Sequence, residues 1–143
     1  MRYDAVVKNV ITYGTFDLLH YGHIELLRRA KETSEGGLLY VGLSSEKFNE
    51  LKGKKTYLPF DKRKRLLESI KHVDFVFPEN DWAQKESDIK KYDINIFLMG
   101  HDWTGKFDHL SDLCEVLYLE RTPDVSSTAI KQVLDQTDSN PTS

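Results

Sequence analysis

Two histidines near the amino terminus stand three residues apart, a spacing that suits phosphate chemistry. His20 and His23 flank Gly22 at the start of a helical pattern. Side chains three residues apart share a helix face, so both imidazoles can donate hydrogen bonds to one phosphate as charge builds in a transition state. Helix capping, an ordinary surface position and metal ligation stay open from the spacing alone. A zinc-protease site would need His-Glu-x-x-His, which is not present here.

The place of this pair in the chain favours a phosphate ligand. The histidines follow Gly14, where the first predicted strand ends, and ligands bind at the carboxyl edge of open parallel sheets. Glycine lets the backbone approach a ligand, and a helix N-terminus offers unpaired N–H groups with a partial positive charge. We therefore expect a nucleotide phosphate, bound without a covalent intermediate.

Two other segments carry groups that bind anions. Residues 121–128 read Arg-Thr-Pro-Asp-Val-Ser-Ser-Thr, an arginine and several hydroxyls before a predicted helix. Taken alone, this octet favours an ordinary capped helix with a solvated arginine. Residues 49–56 are polar and place Lys52, Lys54 and Lys55 around Gly53, which predicts a mobile loop beside a sheet edge. Lysine runs of this kind are more often solvated surface than ligand contacts.

The elements that must position these groups follow an alternating order. Short apolar runs alternate with amphipathic stretches, which predicts an α/β fold with a parallel sheet. Strands are predicted at residues 10–13, 38–43, 74–77, 96–100 and 116–119. Helices are predicted at residues 21–33, 60–70, 82–92 and 128–134, with Pro59 starting the second and Asp81 capping the third.

Length and composition limit the functional classes. The 143 residues, 39% of them hydrophobic, predict a single domain over 1–143, with a core at about 8–134 and a polar, disordered tail at 135–143. With 20 basic and 23 acidic residues, no global field attracts nucleic acid or anionic lipid. A single cysteine, Cys114, excludes an internal disulfide. The sequence shows neither a signal core nor a membrane span, so we expect a cytoplasmic protein without membrane partners.

Three segments together resemble a known family. Gly-Thr-Phe-Asp at 14–17 and His-Tyr-Gly-His at 20–23 are similar to the signature of the His-x-Gly-His nucleotidyltransferases, and residues 11–23 resemble the glycerol-3-phosphate cytidylyltransferases in particular. Residues 121–128 resemble the second signature, Arg-Thr-x-Gly-Ile-Ser-Thr-Thr, and residues 99–103 resemble Met-Gly-Asp-Asp-Trp. The resemblance extends from residue 10 to about 134. It implies a Rossmann-like, open, parallel five-stranded sheet with helices on both faces.

The resemblance also implies roles for individual residues. His20 and His23 would be catalytic, Lys52 and Lys85 would contact the acceptor phosphate, and Asp17 would either assist or order the turn. No protein metal site is implied, because Mg²⁺ would travel with the CTP phosphates. The implied nucleotide-binding set is Thr15, Phe16, His20, His23, Lys54, Arg63, Asp102, Trp103, Arg121, Thr122, Ser126, Ser127 and Thr128.

The implied reaction joins CTP and sn-glycerol 3-phosphate into CDP-glycerol and pyrophosphate, for polymers of the teichoic acid or capsule type, in a homodimer. Other acceptors such as phosphoethanolamine or phosphocholine, adenylyl transfer from ATP, and a non-catalytic nucleotide-binding module are alternatives. Three departures from the family pattern change the chemistry of the position: Asp124 replaces a glycine, Lys71 an arginine and His101 an aspartate, whereas Val125 for isoleucine and Ser127 for threonine keep it.

Overall fold

The computed structural model describes residues 7–120 and 133–134. Its five strands are β1 (Val10–Gly14), β2 (Leu39–Ser44), β3 (Phe75–Glu79), β4 (Ile96–Gly100) and β5 (Glu115–Leu119). They form one sheet in the order β3-β2-β1-β4-β5, and each pair is parallel. The strand order changes direction between β1 and β4, and such a switch point opens a crevice at the carboxyl ends of the strands. The predicted α/β fold with a five-stranded parallel sheet is confirmed.

Helices cover both faces of this sheet. They are α1 (Tyr21–Thr33), α2 (Glu46–Leu51), α3 (Phe60–Glu68) and α4 (Gln84–Lys91). Two 3₁₀ turns, His101–Trp103 and Asp108–Asp112, lie between β4 and β5. Val10 and Ile11 point to opposite faces because successive side chains of a strand alternate. Val10 packs with Leu27 of α1 and Leu67 of α3. Ile11 packs on the other side, where Ile89 of α4 and Leu110 complete a second core.

Two local features differ from those predicted from the sequence. Part of the predicted loop at 49–56 is helical, because Ser45 caps α2 by accepting the Phe48 N–H and the helix runs to Leu51. The expected Asp81 cap is also absent, and α4 begins at Gln84 without a side-chain cap. The Gln84 amide instead accepts from the Asn80 N–H and donates to the Pro78 carbonyl, which delays the helix by a short turn.

Some predictions fall beyond the described part of the chain. The predicted tail lies outside it, and so does the predicted helix at 128–134 apart from residues 133–134. Within residues 7–120 and 133–134, no helix is both long and apolar enough to cross a membrane.

Candidate active site

The two signature histidines form the N-terminal cap of α1. His20 is the N-cap residue, and its Nδ1 accepts the Gly22 N–H at 3.0 Å. In return, Nδ1 of His23 accepts the His20 N–H at 3.3 Å, which completes a capping box. A neutral imidazole that accepts at Nδ1 carries its proton on Nε2. Both rings therefore have Nε2–H as their donor, and partial burial of His20 lowers its pKa and favours this neutral form.

The residues before this helix fix the turn that carries it. Phe16 has a φ of +47°, a left-handed conformation that is uncommon for a bulky residue. Its ring is 5% exposed and packs against His23, with centroids 5.3 Å apart. A Cβ on Gly14 would lie 2.7 Å from that ring, so glycine is required there. In this arrangement the Phe16 side chain supports His23 from the core, and the predicted nucleotide contact stays a prediction.

Asp17 joins the first turn to the segment that precedes α3. The carboxylate is 2% exposed, and its two oxygens accept the N–H groups of Tyr57 and Leu58 at 2.7 and 2.9 Å. These bonds fit the ordering role that the sequence left open for Asp17, because they hold one end of the lysine loop against the turn after β1.

Arg63 also connects separate segments of the site, and its side chain lies inside the protein. Its side chain is fully buried and donates to the carbonyls of Leu58, Thr15 and Ser44 at 2.8 to 3.0 Å. The guanidinium also pairs with Glu46 at the start of α2, at 2.7 Å. A direct nucleotide contact, as the resemblance implied, would require this buried group to leave its carbonyl partners. In this structure Arg63 holds together the turn after β1, the end of β2 and the segment before α3, and its predicted nucleotide contact stays a prediction.

A cleft opens at the carboxyl edge of the sheet, beyond β1 and β4. A narrow part of about 80 Å³ adjoins a wider part of about 510 Å³, and both are lined by Trp82, Lys85, Trp103 and Phe107. Five predicted site residues converge on the narrow part: Thr15, Lys52, Lys54, Lys85 and Trp103.

Lys52 lies at the C-terminus of α2, where it reaches into the cleft. Its Nζ donates to Ser44 Oγ at 2.7 Å and lies 3.5 Å from Thr15 Oγ1. The ammonium also sits 4.5 Å from the centroid of the Phe48 ring. Burial, followed by repulsion from Lys54, lowers the pKa of Lys52 to about 8. This lysine is therefore poised to change charge close to neutral pH.

Lys85 of α4 is buried beneath the cleft, with 4% of its surface exposed. Its ammonium pairs with the carboxylate of Glu79, which is itself 2% exposed. Ring centroids of Tyr13, Trp82 and Phe107 lie 4.8 to 5.4 Å from Nζ. The lysine thus occupies an aromatic cage and adds a positive charge at the floor of the cleft.

The remaining predicted residues lie apart from this cleft or outside the described region. Asp102 is exposed on the 3₁₀ turn after β4 and does not line either part of the cleft. The predicted nucleotide ligands of the second signature lie outside the described residues: Arg121, Thr122, Ser126, Ser127 and Thr128. Their predicted roles remain predictions.

Sequence reasoning missed three polar residues of the site. Glu79 and Ser44 end β3 and β2, and the rule that ligands gather at strand carboxyl ends was available to find both. Asn49 of α2 accepts from Thr15 Oγ1 through Oδ1, while its buried Nδ2 lacks a partner. It was missed because residue 49 was assigned to a loop.

Acidic and metal-ligating side chains are sparse at this edge of the sheet. Within residues 7–120 and 133–134, no three His, Cys, Asp or Glu side chains converge in a way that would hold a metal ion. The groups that line the narrow cleft are mainly cationic and aromatic. Such a set can bind phosphates and stabilise the charge that develops on them.

Known proteins are similar to this chain in sequence or in fold. The cytidylyltransferase-like family matches residues 11–133. A glycerol-3-phosphate cytidylyltransferase of Staphylococcus aureus is 59% identical over 90% of this chain and 96% of its own. The enzyme of the same name from Bacillus subtilis is 54% identical over 88% of this chain and 96% of its own.

A solved structure shares the fold at low sequence identity. The lipopolysaccharide core biosynthesis protein of Thermoplasma volcanium superposes with a TM-score of 0.71 at 20% identity, over 81% of this chain and 98% of that protein. The likeness shows that the parallel sheet and its helices are an established arrangement. Together with the family match over residues 11–133, it leads to one assignment: the chain belongs to the cytidylyltransferase-like family.

Proposed function

We propose that this protein transfers CMP from CTP to sn-glycerol 3-phosphate, giving CDP-glycerol and pyrophosphate. The observation that carries the proposal is the convergence of Lys52, Lys54 and Lys85 on a cleft lined by the end of β1, the strand that leads into the two Nε2–H imidazole donors at the start of α1. Relatives that are 54 and 59% identical bear the name glycerol-3-phosphate cytidylyltransferase, which supports both substrates.

The reaction is a direct displacement at phosphorus. A phosphate oxygen of the acceptor attacks the α-phosphorus of CTP, and the bond from that phosphorus to the oxygen bridging to the β-phosphate breaks as pyrophosphate leaves. The acceptor phosphate is already nucleophilic at neutral pH, so the site must align the reactants and stabilise charge. We assign the Nε2–H groups of His20 and His23 to the α-phosphate oxygens, where charge grows in the transition state.

The cleft at the end of β1 suits an anionic acceptor with a neutral alcohol. Lys52 and Lys85 supply two positive charges for its phosphate. A cationic head group such as choline would require an aromatic cage. Here Tyr13, Trp82 and Phe107 already surround the Lys85 ammonium, and a second cation would be repelled. This contrast favours a polyol phosphate over phosphocholine or phosphoethanolamine.

Magnesium belongs to the proposal as a companion of CTP. Mg²⁺ keeps several waters and commonly binds through substrate phosphates with one or two carboxylates, so it needs no cage of protein ligands. The narrow part of the cleft is lined mainly by cationic and aromatic groups, which do not ligate Mg²⁺. This lining fits a metal ion that arrives already bound to the nucleotide phosphates. When bound, it would neutralise phosphate charge, while His20, His23, Lys52 and Lys85 carry out the contacts assigned above.

Three further parts of the proposal rest on the resemblance and on the proposed substrates. CTP and glycerol 3-phosphate are metabolites of the cytoplasm, and we place the enzyme there. The product would feed a polymer of the teichoic acid or capsule type. The protein would act as a homodimer, which sedimentation velocity at several protein concentrations tests directly.

The decisive experiment follows pyrophosphate release with CTP, magnesium and one acceptor at a time. Glycerol 3-phosphate, phosphoethanolamine, phosphocholine and other polyol phosphates are compared, with ATP as the control nucleotide. Release that depends on both CTP and glycerol 3-phosphate supports the proposal. Preference for another acceptor overturns the substrate assignment, and no release with any pair points to a non-catalytic nucleotide-binding module.

A further inference from the structure

Glu79, the last residue of β3, connects the two lysines of the cleft. One carboxylate oxygen pairs with Lys85, and the other lies 3.4 Å from Ser44 Oγ, which in turn accepts from Lys52 at 2.7 Å. We propose that Glu79 is a positioning residue that holds Lys52 and Lys85 together for the acceptor phosphate. This inference deepens the proposed function and rests on it for the identity of the acceptor.

The backbone fixes Glu79 where both lysines can reach it. β2 and β3 pair in parallel with Ser44 opposite Glu79, and the Ser45 N–H donates to the Glu79 carbonyl at 2.9 Å. Ser44 is fully buried and Glu79 is 2% exposed, so both side chains have mainly protein groups as partners. Lys85 comes from α4 and Lys52 from the end of α2. The carboxylate therefore joins two separate helices at the carboxyl edge of the sheet.

The charges around Lys52 and Lys85 also support a positioning role for Glu79. The groups acting on Lys52 are Lys54, Lys85, Arg63 and Glu79, and of these four only Glu79 favours the ammonium form. Lys85 is 4% exposed and needs a counterion at that depth. Without the carboxylate, the lysines would repel one another in a site that water enters poorly. We expect the buried ammonium groups to separate or to lose a proton, and either change removes a phosphate ligand.

A carboxylate beside an anion site also repels the anion, so the two effects must be compared. A lysine ammonium has three N–H donors, and a bond to Glu79 leaves two for phosphate. The three cleft lysines outweigh the one carboxylate, and the local charge stays positive. We therefore expect the gain in phosphate binding from the positioned lysines to exceed the loss from repulsion by the carboxylate. Glu79→Gln tests which effect is larger, because it keeps the shape of the side chain and removes its charge.

The test compares steady-state kinetics of wild type, E79Q and the control E32Q, whose carboxylate pairs with Arg28 on the exposed side of α1. For E79Q we expect a higher KM for glycerol 3-phosphate that lowers kcat/KM for this substrate by about 10-fold or more, with KM for CTP within about 2-fold of wild type. The alkaline limb of the pH profile should move to lower pH, since Lys52 loses the carboxylate that favours its charge. E32Q should match wild type in all three measurements.

Three results would overturn the inference: an unchanged KM for glycerol 3-phosphate, a lower one, or an equal loss for both substrates in folded E79Q. Glu79→Asp, which keeps the charge, should recover part of the activity. Ser44→Ala leaves the ion pair between Glu79 and Lys85 intact. It should therefore shift only the alkaline limb of the pH profile, which reports the titration of Lys52. If E79Q does not fold, S44A and the neutral pair E79Q/K85M carry the test, and an S44A profile equal to wild type contradicts the link.

A binding measurement separates this inference from the proposed reaction. Inorganic phosphate is titrated calorimetrically into wild type and E79Q at pH 7. Weaker binding to E79Q supports the positioning role, and equal or tighter binding overturns it, whichever substrates turn over. Absence of pyrophosphate release from wild type with CTP and glycerol 3-phosphate would instead count against the proposed function.

Discussion

The imidazole rings of His20 and His23 stack with centroids 3.9 Å apart and an interplanar angle of 25°. Nδ1 of each ring accepts a backbone N–H at the start of α1, so the proton of each neutral ring lies on Nε2. One nitrogen of each ring caps the helix, and the other supplies a donor. Substitution can therefore separate the structural role from the chemical one.

His20→Asn is expected to retain the fold and lose turnover. Asparagine is a favoured N-cap residue whose side-chain oxygen can accept the Gly22 N–H, but it places no donor where Nε2 stood. We expect kcat to fall by about 10²- to 10³-fold, the typical loss for one transition-state donor. The thermal midpoint should remain near that of wild type. Pyrophosphate release and circular dichroism measure the two effects.

His20→Ala is the comparison that removes both roles. It should lose the same activity and also about 1 kcal/mol of stability through the missing cap. Glutamine is the conservative choice at His23, since it can reach back to the N-cap N–H in a capping box. An asparagine or glutamine variant with near-normal kcat would remove that histidine from the proposed mechanism.

Stability should depend on the charge of His20 at mildly acidic pH. Burial lowers its pKa in the folded protein below the 6.5 of an unperturbed histidine. The unfolded chain therefore binds more protons between those two values, so stability is lost as the pH falls below about 6.5 and through the lower folded pKa. Urea unfolding of wild type and H20N at pH 8 and pH 5 measures this part. Lowering the pH from 8 to 5 should reduce the free energy of unfolding more in wild type than in H20N, and an equal reduction in the two proteins would contradict the assignment.

The sequence predicted the strands closely because each combines an apolar run with a nearby turn signal. Observed bounds differ from predicted ones by at most two residues, as with the third strand, predicted to end at 77 and observed to end at Glu79. Five residues chosen from the sequence line the cleft, namely Thr15, Lys52, Lys54, Lys85 and Trp103, and their roles there stay predictions. Glu79 was missed because its role depends on the pairing of β3 with β2, a tertiary relationship. The contacts of Arg63 within the protein were missed for the same reason, since its partners come from three separate segments, and its predicted nucleotide contact stays a prediction.

Use of glycerol 3-phosphate should weaken as Lys52 loses its proton. Its pKa is lowered to about 8 by burial, so the ammonium that faces the acceptor becomes neutral above that pH. The profile of kcat/KM reports the free enzyme and should fall with a midpoint near pH 8. Lys52→Arg keeps its charge at higher pH and should move this limb upward, although its different shape lowers the plateau. A limb at the same pH in K52R would assign the titration to another group.

Lys85→Ala should change the choice of acceptor. Removing the ammonium opens the cage of Tyr13, Trp82 and Phe107 and leaves the Glu79 carboxylate beside it. A trimethylammonium group fits such surroundings, while glycerol 3-phosphate loses a cationic contact. We expect the ratio of kcat/KM for phosphocholine to that for glycerol 3-phosphate to rise by about 10-fold or more. Lys91→Ala on the exposed side of α4 is the matched control and should leave the ratio unchanged.

Arg63→Lys should lower the free energy of unfolding and also weaken the binding of both substrates. The buried guanidinium binds carbonyls of Thr15, Ser44 and Leu58 and the Glu46 carboxylate, and an ammonium without the planar fork cannot satisfy this set. Buried groups left without partners commonly cost several kcal/mol, and we expect a loss of about 2 to 4 kcal/mol. Urea denaturation measures this loss.

Arg28→Lys supplies the control for this substitution, because Arg28 pairs with Glu25 and Glu32 on an exposed face of α1. Exposed pairs of this kind contribute little, and its urea midpoint should stay near wild type. In R63K, KM should rise for CTP and glycerol 3-phosphate alike, since the turn after β1 and the end of β2 both lose their anchor. If R63K is as stable as wild type and raises KM for CTP alone, the result would instead support the direct nucleotide contact that the resemblance implied.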